Sequence, residues 1–460
     1  MKIDTSILDT IETEKNDQNR SLIDELRGDQ VIVVLDDDPT GTQTVHDVDI
    51  LTEWSEERLA EAFSSPIFYI LTNSRSLEES EAYDLVFEIC QNVKNVASKL
   101  DKSFLVIARG DSTLRGHYEA ETQAIKNAIH LPDAITVFAP AFYQGGRFTI
   151  DNTHFVDDEG KLIPVSETPF AQDETFGFNS SNLYDYVLEK SASTKSNNEI
   201  FDLSIEELRN FETQSLADKI IKHQQKKALI INAVNKSDLE RAVLALFMAQ
   251  KKGASFIFRT AASIVSILGG VTQKPLLESE DFNKHSNGGL IVVGSYVPKT
   301  TEQLNFLLEQ HTLKVFEVDV ATILKEPSSQ LINSLSEGIS ESIAQGVHCV
   351  LHTSRVLISG KDKKSSLSIV NQVSNVVMSV LNKIESKPSF VIAKGGITSS
   401  DVATKVLGIK KAKVLGQILP GVPVWELGEE TKYPGMTYIV FPGNVGGASA
   451  VADAFSKLKN

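Results

Sequence analysis

Short apolar runs, mostly β-branched, recur along the chain, and each leads into a polar loop and then a helical pattern. The run from Val31 to Leu35 enters three carboxylates, Asp36, Asp37 and Asp38, followed by Pro39-Thr40-Gly41-Thr42-Gln43. An unbroken Val/Ile run bounded by turn residues predicts a strand buried on both faces of a parallel sheet. Ile67–Leu71 predicts a second strand, ending in Thr72, Asn73, Ser74 and Arg75, and a helix follows over Glu78–Leu100. Phe104–Gly116 and Ala134–Phe148 predict a third and a fourth strand segment. Residues 151–200 carry Asp, Asn, Gly, Pro and Ser and are expected to be irregular. The rhythm resumes with strands at Ala228–Ala233 and Ser255–Phe258.

The later part of the chain repeats the alternation. Strands are expected at Leu290–Val293, Lys314–Val318, Val347–Leu351, Phe390–Ala393 and Tyr438–Phe441, with a helix beginning near Thr300 or Thr301. Leu331, Leu335, Ile339 and Ile343 form one apolar stripe at helical spacing, and Ile369, Val373, Val377 and Leu381 another; both read as core packing. Strands alternating with helices predict an α/β fold. At 460 residues the chain is too long for one core. The expected organisation is a leader at 1–29, a domain at 30–270, a linker at 271–288 and a domain at 289–460. Each domain is expected to be a mostly parallel sheet flanked by helices, with a ligand cleft between them.

Composition narrows the function classes. The formal net charge of −16 argues against nucleic acid or an anionic membrane as partner. It leaves room for a small anion held by local arginines. The two cysteines, Cys90 and Cys349, give no disulfide framework or zinc spacing. The polar N-terminus has no apolar stretch of signal-peptide length, and no run approaches the ~20 apolar residues of a membrane helix. The expected location is the cytoplasm, and assembly as a homodimer stays open.

Candidate chemistry lies at the strand ends. In the first half Arg75, Arg109, Arg115 and Arg147 follow strands, and paired planar donors suit a carboxylate. Thr40, Ser112 and Thr113 could read hydroxyls, and Asp37 or Asp38 could accept a proton from one. The bland reading is that each arginine pairs with a nearby aspartate. In the second half Gly395-Gly396 and Gly443-Asn444-Val445-Gly446-Gly447 lie between a strand and a helix, and Gly294-Ser295 is a weaker instance. The first of these helices is expected to be capped by Thr398, Ser399 or Ser400. Such glycine turns expose backbone amides to phosphate. GxxxxGK[ST], GxGxxG near the start of either half, GxSxG, HExxH and the protein-kinase HRD and DFG motifs are all missing. His46, His117 and His154 lie nearest the candidate site and read as surface or structural residues rather than catalysts. One half shaped for a small polyhydroxy acid and one for phosphates suit phosphoryl transfer to a hydroxyl.

The ordered series DDDPTG (36–41), TNSRSL (72–77), RGDSTLRG (109–116), APAF…GGR (139–147), GS (294–295), KGGITSSDVA (394–403) and PGNVGG (442–447) resembles the four-carbon acid sugar kinase family. The resemblance covers nearly everything after residue 30. It implies a sugar-acid-binding N-terminal domain, a nucleotide-binding C-terminal domain, and ATP with Mg2+ as cofactors. By it, Asp37, Arg75 and Arg109 to Ser112 would contact the sugar acid. Asp38, Thr40, Asp111, Thr113, Arg115 and Arg147 complete the substrate set. Ser295, Gly395, Gly396, Ile397, Thr398, Gly443, Asn444 and Gly446 would contact ATP, and no residue is assigned to a metal. Asp37 is the expected catalytic residue, with Asp38 and Asp111 as rivals. The opening loop departs from the usual ADDFTGA, Arg109 stands where lysine is common, and FPGNVGG replaces a terminal loop nearer KSGNFG. A catalytically silent binding protein and an NAD-dependent oxidoreductase remain the alternatives.

Overall fold

The computed structural model describes residues 16–158, 160–272, 274–283, 285–294, 297–325, 329–355, 363–443 and 445–459. They form two compact units. The first takes residues 16–45 and 53–272, and the second takes residues 46–52 and those from Lys274 onward.

In the first unit, β1 (Val31–Asp36) is buried along its whole length. Water is excluded from both faces, so each Val, Ile or Leu contributes roughly 1.5–3 kcal/mol of burial against a backbone ordering cost of about 1–2 kcal/mol. The run has no alternation because neither face is wet. β2 (Val48–Leu51) belongs to the second unit. β3 (Ile67–Leu71) and β4 (Phe104–Arg109) flank β1, both parallel to it. β5 (Ile135–Ala139) lies further along the same sheet. The helix Glu79–Lys99 starts with a capping box between Glu78 and Glu81, and turns Ala82, Val86, Ile89, Val93 and Val96 inward at helical spacing.

The expected irregular stretch is a correction. β6 (Arg147–Ile150), β7 (Thr153–Asp158) and β8 (Lys161–Pro164) make a separate antiparallel sheet, and Leu183–Lys190 is a helix. Asp158 pairs with Lys161 across a turn where Gly160 takes φ +83°, a conformation that favours glycine. The strands run only four to six residues, too short for their alternation to stand out. The segments expected at 104–116 and 134–148 also end early, at Arg109 and Ala139, because Gly110 and Pro140 begin loops. β9 (Ile200–Leu203), β10 (Ala228–Ile231) and β11 (Phe256–Thr260) complete the main sheet, in the order β3-β1-β4-β11-β5-β10-β9, all parallel. The strand order reverses at β1, which puts a switch-point crevice outside the carboxyl ends of β1 and β4.

The second unit carries β12 (Leu290–Val293), β13 (Lys314–Val318), β14 (Cys349–Thr353), β15 (Phe390–Lys394), β16 (Lys411–Leu419), β17 (Val422–Leu427) and β18 (Thr437–Phe441). The order is β13-β14-β12-β15-β18-β17-β16-β2. It is parallel through β18 and antiparallel beyond. The β16–β17 hairpin was not expected from the sequence; its turn carries Pro420 and Gly421, the latter at φ +78°. The two amphipathic stripes fall on the helices Ser329–Ala344 and Lys363–Asn382, with Ile339, Ile343, Val377 and Leu381 buried. Here too the order reverses, at β12, so the turns after β12, β15 and β18 lie at the carboxyl ends of three adjacent strands. Both cysteines are free and buried. Among the described residues no helix is long and apolar enough to cross a membrane.

Candidate functional site

The switch point of the first unit holds a dense charge network. Asp37, 2% exposed, receives two hydrogen bonds from Arg75: Nη2 to Oδ1 at 2.6 Å and Nε to Oδ2 at 3.2 Å. Arg75 Nη1 also lies 3.5 Å from Asp38 Oδ2. Arg109, on the neighbouring strand end, gives Nη1 to Asp36 Oδ1 at 3.0 Å and lies 3.7 Å from Asp37. Asp38 accepts from the amide of Thr40 at 2.8 Å and from its hydroxyl at 2.5 Å, capping the 3-10 turn Pro39–Thr42. Burial works against the charge on Asp38, but Arg75 and Thr40 more than offset it and pull its pKa down. Asp36 differs. It is fully buried, one of its oxygens has no partner, and burial raises its pKa to about 7 despite Arg109. Gly41 packs on that carboxylate so closely that a Cβ there would overlap it.

A second network borders the first. Asp111 is bonded by Thr113 Oγ1 and by Arg115 Nε, the latter at 2.7 Å. Burial opposes its charge, yet Arg75 first and Arg115 next hold its carboxyl well below the usual range. Arg115 also lies over the Phe170 ring at 5.0 Å. Ser112 takes part through its backbone: its carbonyl oxygen is 2.8 Å from His154 Nε2. His154 is buried, bonds Thr149 through its other nitrogen, and is pushed down to about 4 by burial, a structural histidine as expected.

The arginines are therefore mostly spoken for. Arg75, Arg109 and Arg115 each engage an aspartate, as the bland reading held. Arg147 is the exception. Its Nη1 donates to the carbonyl of Gly145, its Nε is buried without a partner, and no carboxylate oxygen lies within 4.0 Å among the described residues. Asp111 and Asp157 act on it only at longer range, and burial lowers its pKa.

Sequence reasoning missed Arg259 and Glu121. Both are buried and paired, and Glu121 also accepts from Ser74 Oγ. Arg259 is the penultimate residue of β11, next to the carboxyl end, where Arg109 ends β4, a positional signal that was available. Glu121 sits on a helix face with Ala124, Ile125 and Ala128, where an acid on an apolar stripe is itself a signal. A Cβ at Gly110 would come within 2.6 Å of the Arg259 guanidinium, and one at Gly116 within 2.6 Å of Arg259 Nη2 and 3.2 Å of Asp37 Oδ2. Gly116 is at φ +123°. Gly116→Ala is expected to lower the unfolding free energy by about 1–3 kcal/mol, read by urea denaturation.

In the second unit, Gly395 (φ +113°) caps the helix Gly396–Asp401. This corrects the expected caps: Thr398, Ser399 and Ser400 lie inside the helix, and Ser399 Oγ bonds back to Ala393 O at 2.7 Å. The amides of Gly396, Ile397 and Thr398 head the helix and have no intrahelical acceptor. Ile397 is 62% exposed. Gly294 packs against the Thr398 hydroxyl so tightly that a Cβ would overlap it. Gly443 and Gly446 follow β18 and lead to the helix Ala450–Leu458. Ser295 and Asn444 lie outside the described residues. Lys394, not singled out from the sequence, is fully buried beneath these turns, and burial, with Lys299 nearby, brings its ammonium down to about 7. No group of three or more acidic, His or Cys side chains among the described residues could hold a metal.

Comparison with known proteins finds two domain models along the chain. A family model of a sugar-binding N-terminal domain matches residues 32–268, and one of a nucleotide-binding C-terminal domain matches residues 290–451. No curated protein matches the chain. Two solved structures share the fold. One, from Salmonella typhimurium LT2 and provisionally assigned as a tRNA synthase, is 18% identical with a TM-score of 0.68, over 94% of this chain and 100% of that one. The other, Haemophilus influenzae protein HI1011, is 17% identical with a TM-score of 0.63, over 92% of this chain and 99% of that one. With both domain models matched in order, the chain belongs to the four-carbon acid sugar kinase family.

Proposed function

We propose that the protein is an ATP-dependent kinase that phosphorylates a hydroxyl of a small, four-carbon-like sugar acid. The observation that carries this reading is a division of labour. One unit bears a buried network of carboxylates and guanidiniums at its switch point. The other bears glycine turns at the carboxyl ends of β12, β15 and β18.

Asp37 orients the attacking hydroxyl. Arg75 occupies one lone pair on each of its oxygens, and a carboxylate has about four acceptor sites, so it can still accept from a substrate O–H. Phosphoryl transfer asks for positioning more than for proton removal, which suits a carboxylate clamped by guanidiniums. Arg75 and Arg109 hold Asp37, while Asp38, Thr40, Ser112, Thr113, Asp111 and Arg115 border the hydroxyl-bearing chain. Arg147, which has no carboxylate partner among the described residues, takes the acid group. The amides after Gly395 and around Gly443 and Gly446 take the phosphates, and Ile397 offers an apolar face to the base. Magnesium would come with the nucleotide, held chiefly by its phosphates.

The test is ADP release across a panel of four- to six-carbon sugar acids with magnesium. Release that depends on one of these acids is expected, and none across the panel would overturn the proposal. On an active acid, Arg147→Ala should raise KM about 10- to 100-fold, as loss of a charged hydrogen bond worth ~1.5–3 kcal/mol implies. An unchanged KM would take the carboxylate away from Arg147.

A further inference from the structure

After β18, Pro442, Gly443 and residues 445–447 are pinned from beneath by two side chains of other elements. Lys394 Nζ donates to the carbonyls of Pro442 at 2.5 Å and Gly443 at 3.0 Å, and lies 4.5 Å from the Phe441 ring centre. Gln303, fully buried on the helix Pro298–Gln310, directs Nε2 at the carbonyls of Val445 (3.0 Å), Gly446 (3.4 Å) and Gly447 (2.9 Å). Thr300 Oγ1 adds a long contact to Gly443 O at 3.5 Å.

This arrangement fixes where the amides point. In a trans peptide the C=O of one residue and the N–H of the next are antiparallel. No peptide bond among the described residues is cis. Pulling the carbonyls of 442, 445, 446 and 447 inward therefore turns the N–H groups of Gly443, Gly446, Gly447 and Ala448 to the opposite side. None of these four donates to another group of the described chain. Gly446 and Gly447 are exposed and Gly443 and Ala448 half-buried, and a Cβ at Gly443 or Gly447 would meet nothing within 4 Å, though one at Gly446 would meet Ala450. Successive outward amides form a concave nest for an anion.

We infer that Lys394 and Gln303 are positioning residues of the nucleotide site, holding Pro442, Gly443 and residues 445–447 by their carbonyls so that the amides of Gly443, Gly446, Gly447 and Ala448 face the nucleotide's phosphates. The inference rests on the nucleotide reading of this unit. Lys394 also puts an amine donor beneath a loop, FPGNVGG, that has no basic side chain of its own. Neither side chain has to touch the nucleotide; each acts through the loop.

The test is calorimetric binding of adenosine, AMP and the non-hydrolysable analogue adenylyl imidodiphosphate to the full chain and to Lys394→Met and Gln303→Leu. Affinity for the triphosphate analogue should fall about tenfold or more, a loss of ~1.4 kcal/mol. The loss should shrink from the triphosphate to AMP and vanish for adenosine. Lys394→Arg, which keeps the donors and the charge, should restore part of it. A merely structural role would weaken all three ligands alike, and that result, or unchanged binding in both variants, overturns the inference. If Lys394→Met does not fold, Gln303→Leu decides, since leucine fits the apolar stripe of Leu304 and Leu307. A wild-type chain that does not bind the analogue refutes the nucleotide reading itself, a failure distinct from that of the clamp.

Discussion

Asp37→Asn is expected to lower turnover about 10²- to 10⁴-fold, the range spanned by lost positioning or proton-transfer assistance, while leaving affinity for an ATP analogue unchanged. The substitution keeps the side chain's shape and removes what the site uses. Arg75 places Nε and Nη2 against two acceptor oxygens. Asparagine offers one oxygen and one NH2, so one of the two contacts becomes donor facing donor. Arg109, 3.7 Å away, loses its second acidic neighbour, and on the proposed reading the substrate hydroxyl loses its acceptor. Because Asp37 is buried, a stability loss will accompany the kinetic one, so kcat is to be measured well below the variant's unfolding midpoint. Turnover within a factor of about three of wild type, less than one well-placed hydrogen bond contributes, would remove Asp37 from this role.

How far the sequence could be read depends on the range of the interactions involved. β1, β3 and β4 were legible because burial on both faces leaves an unbroken apolar run, a local signature. Their ends were legible as a candidate site because open α/β sheets put ligands there, and Asp37, Arg75 and Arg109 do converge. What each guanidinium binds was not legible. Arg75 finds Asp37 across 38 positions and Arg109 finds Asp36 across 73, and only the strand order β3-β1-β4 makes them neighbours. Four arginines read alike as a carboxylate fork, yet three are already paired with aspartates and Arg147 has no carboxylate partner among the described residues. Arg259 and Glu121, 138 positions apart, were hidden for the same reason. The small sheet β6-β7-β8 was missed because its strands are short. Gln303 left only one trace, a polar residue on an apolar helix face, whose meaning depends on a loop 142–144 positions away.

The buried Asp36–Arg109 pair should give the largest stability effect. Arg109→Met is expected to cost about 3–5 kcal/mol near pH 8, the usual range when one partner of a buried pair is removed. The cost should shrink towards pH 5. Burial, opposed by Arg109, holds Asp36 at about 7 in the folded chain, above its ordinary value of 3.8. Between those two values the native state binds the extra proton, so this group's contribution to stability is full below about pH 4 and is lost as pH rises through 7. Near pH 5 Asp36 is largely protonated and asks little of a cation. Near pH 8 it is largely ionised, and Arg109 is the group that compensates it. Without Arg109 the carboxyl must either stay charged in an apolar site or hold a proton against the solvent, and both cost free energy. Asp36→Asn in the Arg109→Met background should therefore recover most of the loss near pH 8 and little near pH 5. Urea denaturation of the single and double variants at the two pH values measures this coupling directly. Equal penalties at both would show that Arg109 stabilises the fold through packing or through Asp37, not through the charge on Asp36.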